Sequence, residues 1–195
     1  RPWSAALGAL RRCRGWSQAV EDLVAALERA GGRLRLSSEL DADEIESEAP
    51  DVVVLATGSS WDASGVTASR SGRAAIPGAA GTAVLGLDAA LEAARREPGD
   101  LGARVLILDE TGTYAPLGLA EALAAADTRV DVVTPNRSIG ADAADHLELQ
   151  HLLPRLRAAG VTLTVGHDIE AIGDERVELA DVWGGGGRLV AAVDT

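Results

Sequence analysis

The sequence predicts an α/β domain built on a parallel sheet, with a small β-hairpin element near its end. Three features carry that prediction. Val52-Val53-Val54-Leu55 is an unbroken apolar run ended by Ala56-Thr57-Gly58, the pattern of a strand covered on both faces. Similar runs alternate along the chain with segments of helical periodicity, the order expected of an α/β sheet. Two strand-like segments, 176–183 and 189–193, flank the glycine run 184–187, which reads as a hairpin turn.

Each element follows from local chemistry. Ser17 is suited to cap a helix in which Val20, Leu23, Val24 and Leu27 share one face and Gly31-Gly32 ends the run. Leu34 to Leu36 reads as a short strand and Ala42 to Glu48 as a short acidic helix. The strand over 52–55 comes next, and its small last residues let another backbone or a cofactor approach closely. Residues 59–82 are small, polar and glycine-rich, and a connection of that length implies a function or a hinge. Asp88 is placed to cap a helix through Leu87, Leu91 and Ala94, with Arg95 and Arg96 near its negative end. A buried strand over 105–108 precedes a helix from Pro116 to Ala126, where a proline near the first turn loses no hydrogen bond. Residues 130–134 form the next strand. The helix around 147–158 contains Pro154, which must kink or restart it, and 161–165 is a further strand.

Composition sets the limits. The 195 residues are 47% hydrophobic, enough for a core of one or two small domains. Met, Phe and Lys are absent and all 18 basic residues are Arg; without Met, the chain is expected to be part of a longer protein. A formal charge of −12 argues against nucleic acid and anionic membrane surfaces as partners. No apolar stretch reaches the roughly 18 residues needed to span a bilayer and no signal peptide is visible, so a cytoplasmic location is expected. Cys13 is the single cysteine and excludes an internal disulfide. His146, His151 and His167 are scattered, and His146 and His151 lie five apart, which does not set two metal ligands on one helix face. No Cys–His or Ser–His–Asp spacing points to nucleophilic catalysis. Trp3, Trp16, Trp61 and Trp183 are assigned to packing.

Ligands of open parallel sheets collect at the carboxyl ends of the strands. The candidate site residues are therefore Ala56, Thr57 and Gly58 at one strand end, and Asp109, Thr111, Gly112 and Thr113 at the next. Thr134 and Arg137 follow at a third. A dinucleotide turn needs closely spaced glycines so that backbone N–H groups meet a pyrophosphate. The turn here, from Asp109 to Gly118, holds only Gly112 and Gly118, and Tyr114 and Pro116 add bulk. Asp109 and Glu110 bring carboxylates to the phosphate position. A carboxylate about 4 Å from a phosphate charge costs roughly 1 kcal/mol in bulk water and about 4 kcal/mol at a protein surface. Thr134 stands where an acid would take the ribose hydroxyls, and Arg137 is placed to meet a ribose phosphate.

The chain resembles one family over nearly its whole length. The residues that carry the resemblance are Val53 to Trp61, Ile76-Pro77-Gly78, Val105 to Asp109 with Tyr114, Leu119 to Ala124, Val132 to Pro135, and Val182-Trp183-Gly184. They resemble the dinucleotide-binding region of the trimethylamine dehydrogenase, histamine dehydrogenase and 2,4-dienoyl-CoA reductase family. The resemblance implies a Rossmann-like three-layer sandwich of the FAD/NAD(P)-binding flavoprotein type. Residues 1–80 would be part of an FAD/ADP-binding-like subdomain, and 81–195 an NAD(P)-binding-like subdomain that stops before its return to the first. The resemblance also implies a preceding barrel that carries FMN and a 4Fe–4S cluster, ADP or NAD(P) as the nucleotide, a homodimer, and an electron-transferring flavoprotein as acceptor. Trp61, Trp183-Gly184, Tyr114 and the two acids favour the trimethylamine dehydrogenase branch, in which this domain is not used for hydride transfer. Two alternatives remain: a structural or docking domain with a lost nucleotide site, and the NADPH domain of a dienoyl-CoA reductase-like enzyme.

Overall fold

The computed structural model describes residues 14–58, 61, 62, 64–70, 72, 74–184, 186, 188–191 and 193–195. Trp3 and Cys13, assigned above from the sequence, lie outside them. Helix α1 (Arg14–Arg29) and helix α2 (Ala42–Ser47) open the described chain. Then come α3 (Leu87–Arg96), β1 (Arg104–Leu108), α4 (Tyr114–Ala124) and β2 (Arg129–Val133). They are followed by α5 (Ala141–Asp145), α6 (Leu149–Ala158), β3 (Thr162–Thr164), β4 (His167–Ile172), β5 (Arg176–Asp181) and β6 (Arg188–Ala191).

Strands β1, β2 and β3 make a parallel sheet in that order, with Val105 opposite Val130 and Val132 opposite Leu163. Strands β4, β5 and β6 make an antiparallel meander. Side chains alternate across a strand, so the parallel sheet has two apolar faces. Val105, Ile107, Val130 and Val132 pack with Leu91, Leu117, Leu123, Leu152 and Leu156 of the helices. Leu106, Leu108 and Val133 pack instead with Ile169, Val177 and Leu179 of the meander. The result is three layers, helices on parallel sheet on antiparallel sheet, which is the Rossmann-like sandwich. The α4 helix is apolar nearly all round, with Leu117, Ala120 and Leu123 fully buried, as a helix enclosed on several sides must be.

The Ile76-Pro77-Gly78 motif has a structural purpose. Ile76 is buried among the meander residues, and the Pro77 carbonyl accepts the Ile172 amide at 2.8 Å. Gly78 has φ +87°, and a Cβ there would collide with the Ile172 carbonyl. At the far edge of β1, Asp194 and Thr195 run beside the strand. Leu106 N–H donates to Thr195 O at 2.9 Å, and the Asp194 carboxylate accepts the amides of Ala103 and Arg104 at 2.7 and 2.9 Å.

Several expectations are corrected. Val52 to Leu55 is extended but pairs with no described strand, and its side chains are 50% to 82% exposed. A buried strand needs neighbours, and none of the described residues supplies them. The same holds for Leu34 to Leu36, which is exposed and outside any sheet. Ser17 lies inside α1 because the helix already includes Arg14. Gly86, not Asp88, is the N-cap of α3, and Asp88 sits in the first turn where a carboxylate favours the helix dipole. The helix read around 147–158 is α6, which carries Pro154 within it, and the short helix α5 before it is unread in the sequence. Strand β4, unread in the sequence, completes the meander.

Leu123→Ala should lower the free energy of unfolding by about 2–5 kcal/mol, the cost of a cavity under a fully buried leucine. Urea unfolding measures it, and a loss under about 0.5 kcal/mol, the range of surface substitutions, would contradict this packing.

Candidate functional site

Strand β1 leaves the sheet at Asp109, and the turn to α4 folds back over that residue. Asp109 is 1% exposed. Its amide donates to Val133 O at 2.8 Å, continuing the parallel ladder by one residue. Its Oδ1 accepts three hydrogen bonds: from Thr111 N at 3.1 Å, Thr111 Oγ1 at 3.0 Å and Gly112 N at 2.8 Å. Thr113 N donates to Thr111 Oγ1 at 3.2 Å, and the two threonine hydroxyls lie 2.9 Å apart. Three successive amides of the turn thus end on acceptors inside the turn. Asp109 Oδ2 is buried without a hydrogen-bond partner. Burial pushes the Asp109 carboxyl above the ordinary value of 3.8, and its hydrogen bonds to Gly112 and Thr111 oppose that rise.

Helix α5 backs the turn. Gly112 O accepts the Ala143 amide at 2.9 Å, and a Cβ on Gly112 would lie 2.9 Å from Ala141 N. Gly112 also has φ +67°, a conformation that costs a residue with a Cβ. Thr113 is the N-cap residue of α4 but makes no side-chain capping bond, because its hydroxyl faces Thr111.

Around this centre lie groups that the sequence alone does not connect. Glu110 accepts Ser69 N and Ser69 Oγ, both at 3.3 Å. Ser69 Oγ also donates to buried Asp168, whose Oδ1 accepts the Ile169 amide at 2.8 Å. Asn136 Nδ2 donates to Glu110 O at 3.3 Å. These contacts tie the 59–82 connection and the end of β2 to the turn. No sequence signal reveals them, since Ser69 and Asp168 are 99 residues apart.

The structure brings Asp109, Thr111, Gly112 and Thr113 together in one turn. Thr134 ends the neighbouring strand and is fully buried. Its amide donates to Thr164 O, its carbonyl accepts His167 N, and its Oγ1 accepts Asn136 N at 3.2 Å. Arg137 is exposed, with its guanidinium 5.2 Å from the Trp183 ring centroid, a cation–π contact. Ala56, Thr57 and Gly58 are exposed and share no hydrogen bond with this site among the described residues. A groove of about 300 Å³ runs along the outer edge of β1. Leu87, Ala90 and Leu101 line its helix side, Ile169, Ile172 and Val177 its meander side, and Asp109 and Glu110 also contribute to its wall.

The residues do not fit a dinucleotide held in the usual way, because the turn amides that would meet its diphosphate already carry Asp109 and Thr111. Nor do they fit a 4Fe–4S cluster, which takes four thiolates, since the chain has one cysteine. Among the described residues no group of three or more His, Cys, Asp or Glu is arranged for a metal ion, and no helix is long and apolar enough to cross a membrane.

Layer order and strand order define a domain of the nucleotide-binding kind found in flavoprotein oxidoreductases. No family model matches the chain. It is 32% identical over 152 residues to a probable N-methylproline demethylase from Rhizobium meliloti (strain 1021), covering 74% of this chain and 19% of that protein. The structure of 6-hydroxypseudooxynicotine amine oxidase from Pseudomonas geniculata N1 superposes with a TM-score of 0.81 at 28% identity, over 96% of this chain and 27% of that one. Histamine dehydrogenase from Rhizobium sp. 4-9 has the same fold, with a TM-score of 0.81 at 23% identity over 97% of this chain and 29% of that one. The chain belongs to the trimethylamine dehydrogenase-like family of oxidoreductases, and spans less than a third of the length of these relatives.

Two outcomes are expected at this site. Asp109 has its carboxyl raised in the folded chain, so its contribution to stability is full below the unfolded value and is lost as pH rises through the folded one. Lowering pH from 7 toward 4 should therefore stabilise the wild type relative to Asp109→Asn in urea unfolding, and a gap that is flat or moves the other way would contradict the burial. Gly112→Ala should cost about 1–3 kcal/mol through left-handed strain; a neutral effect on the melting curve would contradict the turn geometry.

Proposed function

We propose that this chain is the nucleotide-domain-like part of a flavin- and iron–sulfur-dependent oxidoreductase of the amine dehydrogenase kind. Residues 1–80 act as part of an FAD/ADP-binding-like half and 81–195 as a pyridine-nucleotide-like half. Amine oxidation belongs to an FMN-bearing barrel elsewhere in the whole protein, together with the 4Fe–4S cluster. Electrons then leave to an electron-transferring flavoprotein, in a cytoplasmic homodimer. The observation that carries this reading is the turn after β1, whose amides end on Asp109 and Thr111 rather than facing outward to a diphosphate. The relatives named for amine and N-methylproline substrates support amines as the substrate class. ADP, where it binds, is held by the first half.

Every apolar side chain that is buried among the described residues lies at Ile76 or later. Val52 to Leu55 and Leu36 stay exposed, and covering such a side chain contributes roughly 1.5–3 kcal/mol. That supports burial of the first half against further parts of the same protein. It equally favours the second reading, a docking domain with a lost nucleotide site.

Anaerobic spectroscopy of the whole protein tests the proposal. A secondary or tertiary amine should bleach the flavin absorbance, and NADPH should not. Rapid bleaching by NADPH would restore the dienoyl-CoA reductase reading. Calorimetry separates the two remaining readings: micromolar ADP binding without NADH binding supports the first, and no heat from any nucleotide supports the docking domain.

A further inference from the structure

We propose that Asp109 is the residue that closes this domain to pyridine dinucleotides, by filling from within the chain the anion position that its own turn defines. The inference rests on the reading above and assigns it to a single side chain.

A turn between a parallel strand and a helix binds a diphosphate because successive N–H groups converge on one point at the helix N-terminus. The convergence survives here. Thr111 N and Gly112 N both aim at one atom, Asp109 Oδ1, at 3.1 and 2.8 Å, and the Thr111 hydroxyl joins them at 3.0 Å. The turn is thus an anion-binding turn whose anion is a side chain. Asp109 is 1% exposed and its Oδ2 is buried without a partner, so a second acceptor oxygen occupies the same space.

Helix α5 holds the turn from one side at Gly112. Gly112 O is bonded to the Ala143 amide, and Gly112 packs on the backbone of Ala141. A diphosphate would have to displace Oδ1, and the displaced carboxyl would then lie against it inside the protein. Glu110 plays a different part. Its carboxylate is turned to Ser69, and it takes no turn amide. The two acids that look alike in the sequence are therefore inequivalent: Asp109 occupies the amides and Glu110 ties the 59–82 connection to the sheet end.

Calorimetric titration of the whole protein with pyrophosphate and with NADPH tests this. Asp109→Ala removes the internal anion and should strengthen both affinities by at least about tenfold. Asp109→Asn keeps an acceptor oxygen at the same point and should stay as closed as the wild type. Glu110→Gln should also stay closed. A folded Asp109→Ala protein with unchanged affinity would overturn the proposal, and so would an equal gain in Glu110→Gln. Should Asp109→Ala not fold, the wild type decides by NMR. The Thr111 and Gly112 amide shifts should titrate together with the Asp109 carboxyl, and shifts that ignore it would overturn the proposal. Flavin reduction by NADPH in the wild type is a separate result that removes the functional reading itself; unchanged affinity in Asp109→Ala removes only this assignment.

Discussion

Burial of β1 on both faces is the constraint on which the candidate site depends. Val105 and Ile107 are locked into the helix layer, while Leu106 and Leu108 pack on the meander. A strand held this way cannot rotate, since a one-residue slip would send its apolar residues to the wrong faces. The residue that follows it out of the sheet is Asp109, and the ladder bond to Val133 carries the same register one step further. A carboxyl delivered to that position under a turn needs donors, and the nearest are the amides of the turn. The site geometry is thus a consequence of sheet packing.

The two halves of the chain are stabilised differently. From Ile76 onward, apolar side chains close a core between three layers. Before it, α1 and the 52–55 segment hold apolar side chains at the surface, with Leu23 at 70% and Val54 at 82% exposure. The capping box of α2, in which Asp41 and Glu44 exchange backbone bonds, orders that helix locally, while Ser69 ties its own segment to Glu110 and Asp168 far along the chain. The late end of the chain is secured by the Asp194 carboxylate on the first amides of β1, next to Gly102, where a Cβ would collide with the Asp194 side chain.

The legible parts of the sequence are those whose physics is local. Strands β1 and β2 and helix α4 could be read because their apolar residues dominate, and the acids that interrupt β2 and α4, Asp131 and Glu121, are paired with Arg104 and Arg155. The hairpin of β5 and β6 could be read from its glycines. Strand β4 could not: its charged residues and the register shift between Ile169 and Ala171 erase the alternation. The 52–55 run was misleading because apolar residues report a tendency to be covered, and coverage depends on neighbouring strands. At the site, the scarcity of glycine and the presence of acids were visible, and so was their hostility to phosphate. That one acid would bend back onto the amides while the other reached Ser69 was not visible, because it depends on three-dimensional placement of segments far apart in the chain.

Backbone hydrogen exchange at Thr111, Gly112 and Thr113 tests the central claim most directly, since the claim is that these amides are already bonded within the free protein. Slow exchange at all three, unchanged when NADPH is added, is the result this account requires. Fast exchange in the free protein that becomes slow on adding NADPH would contradict it.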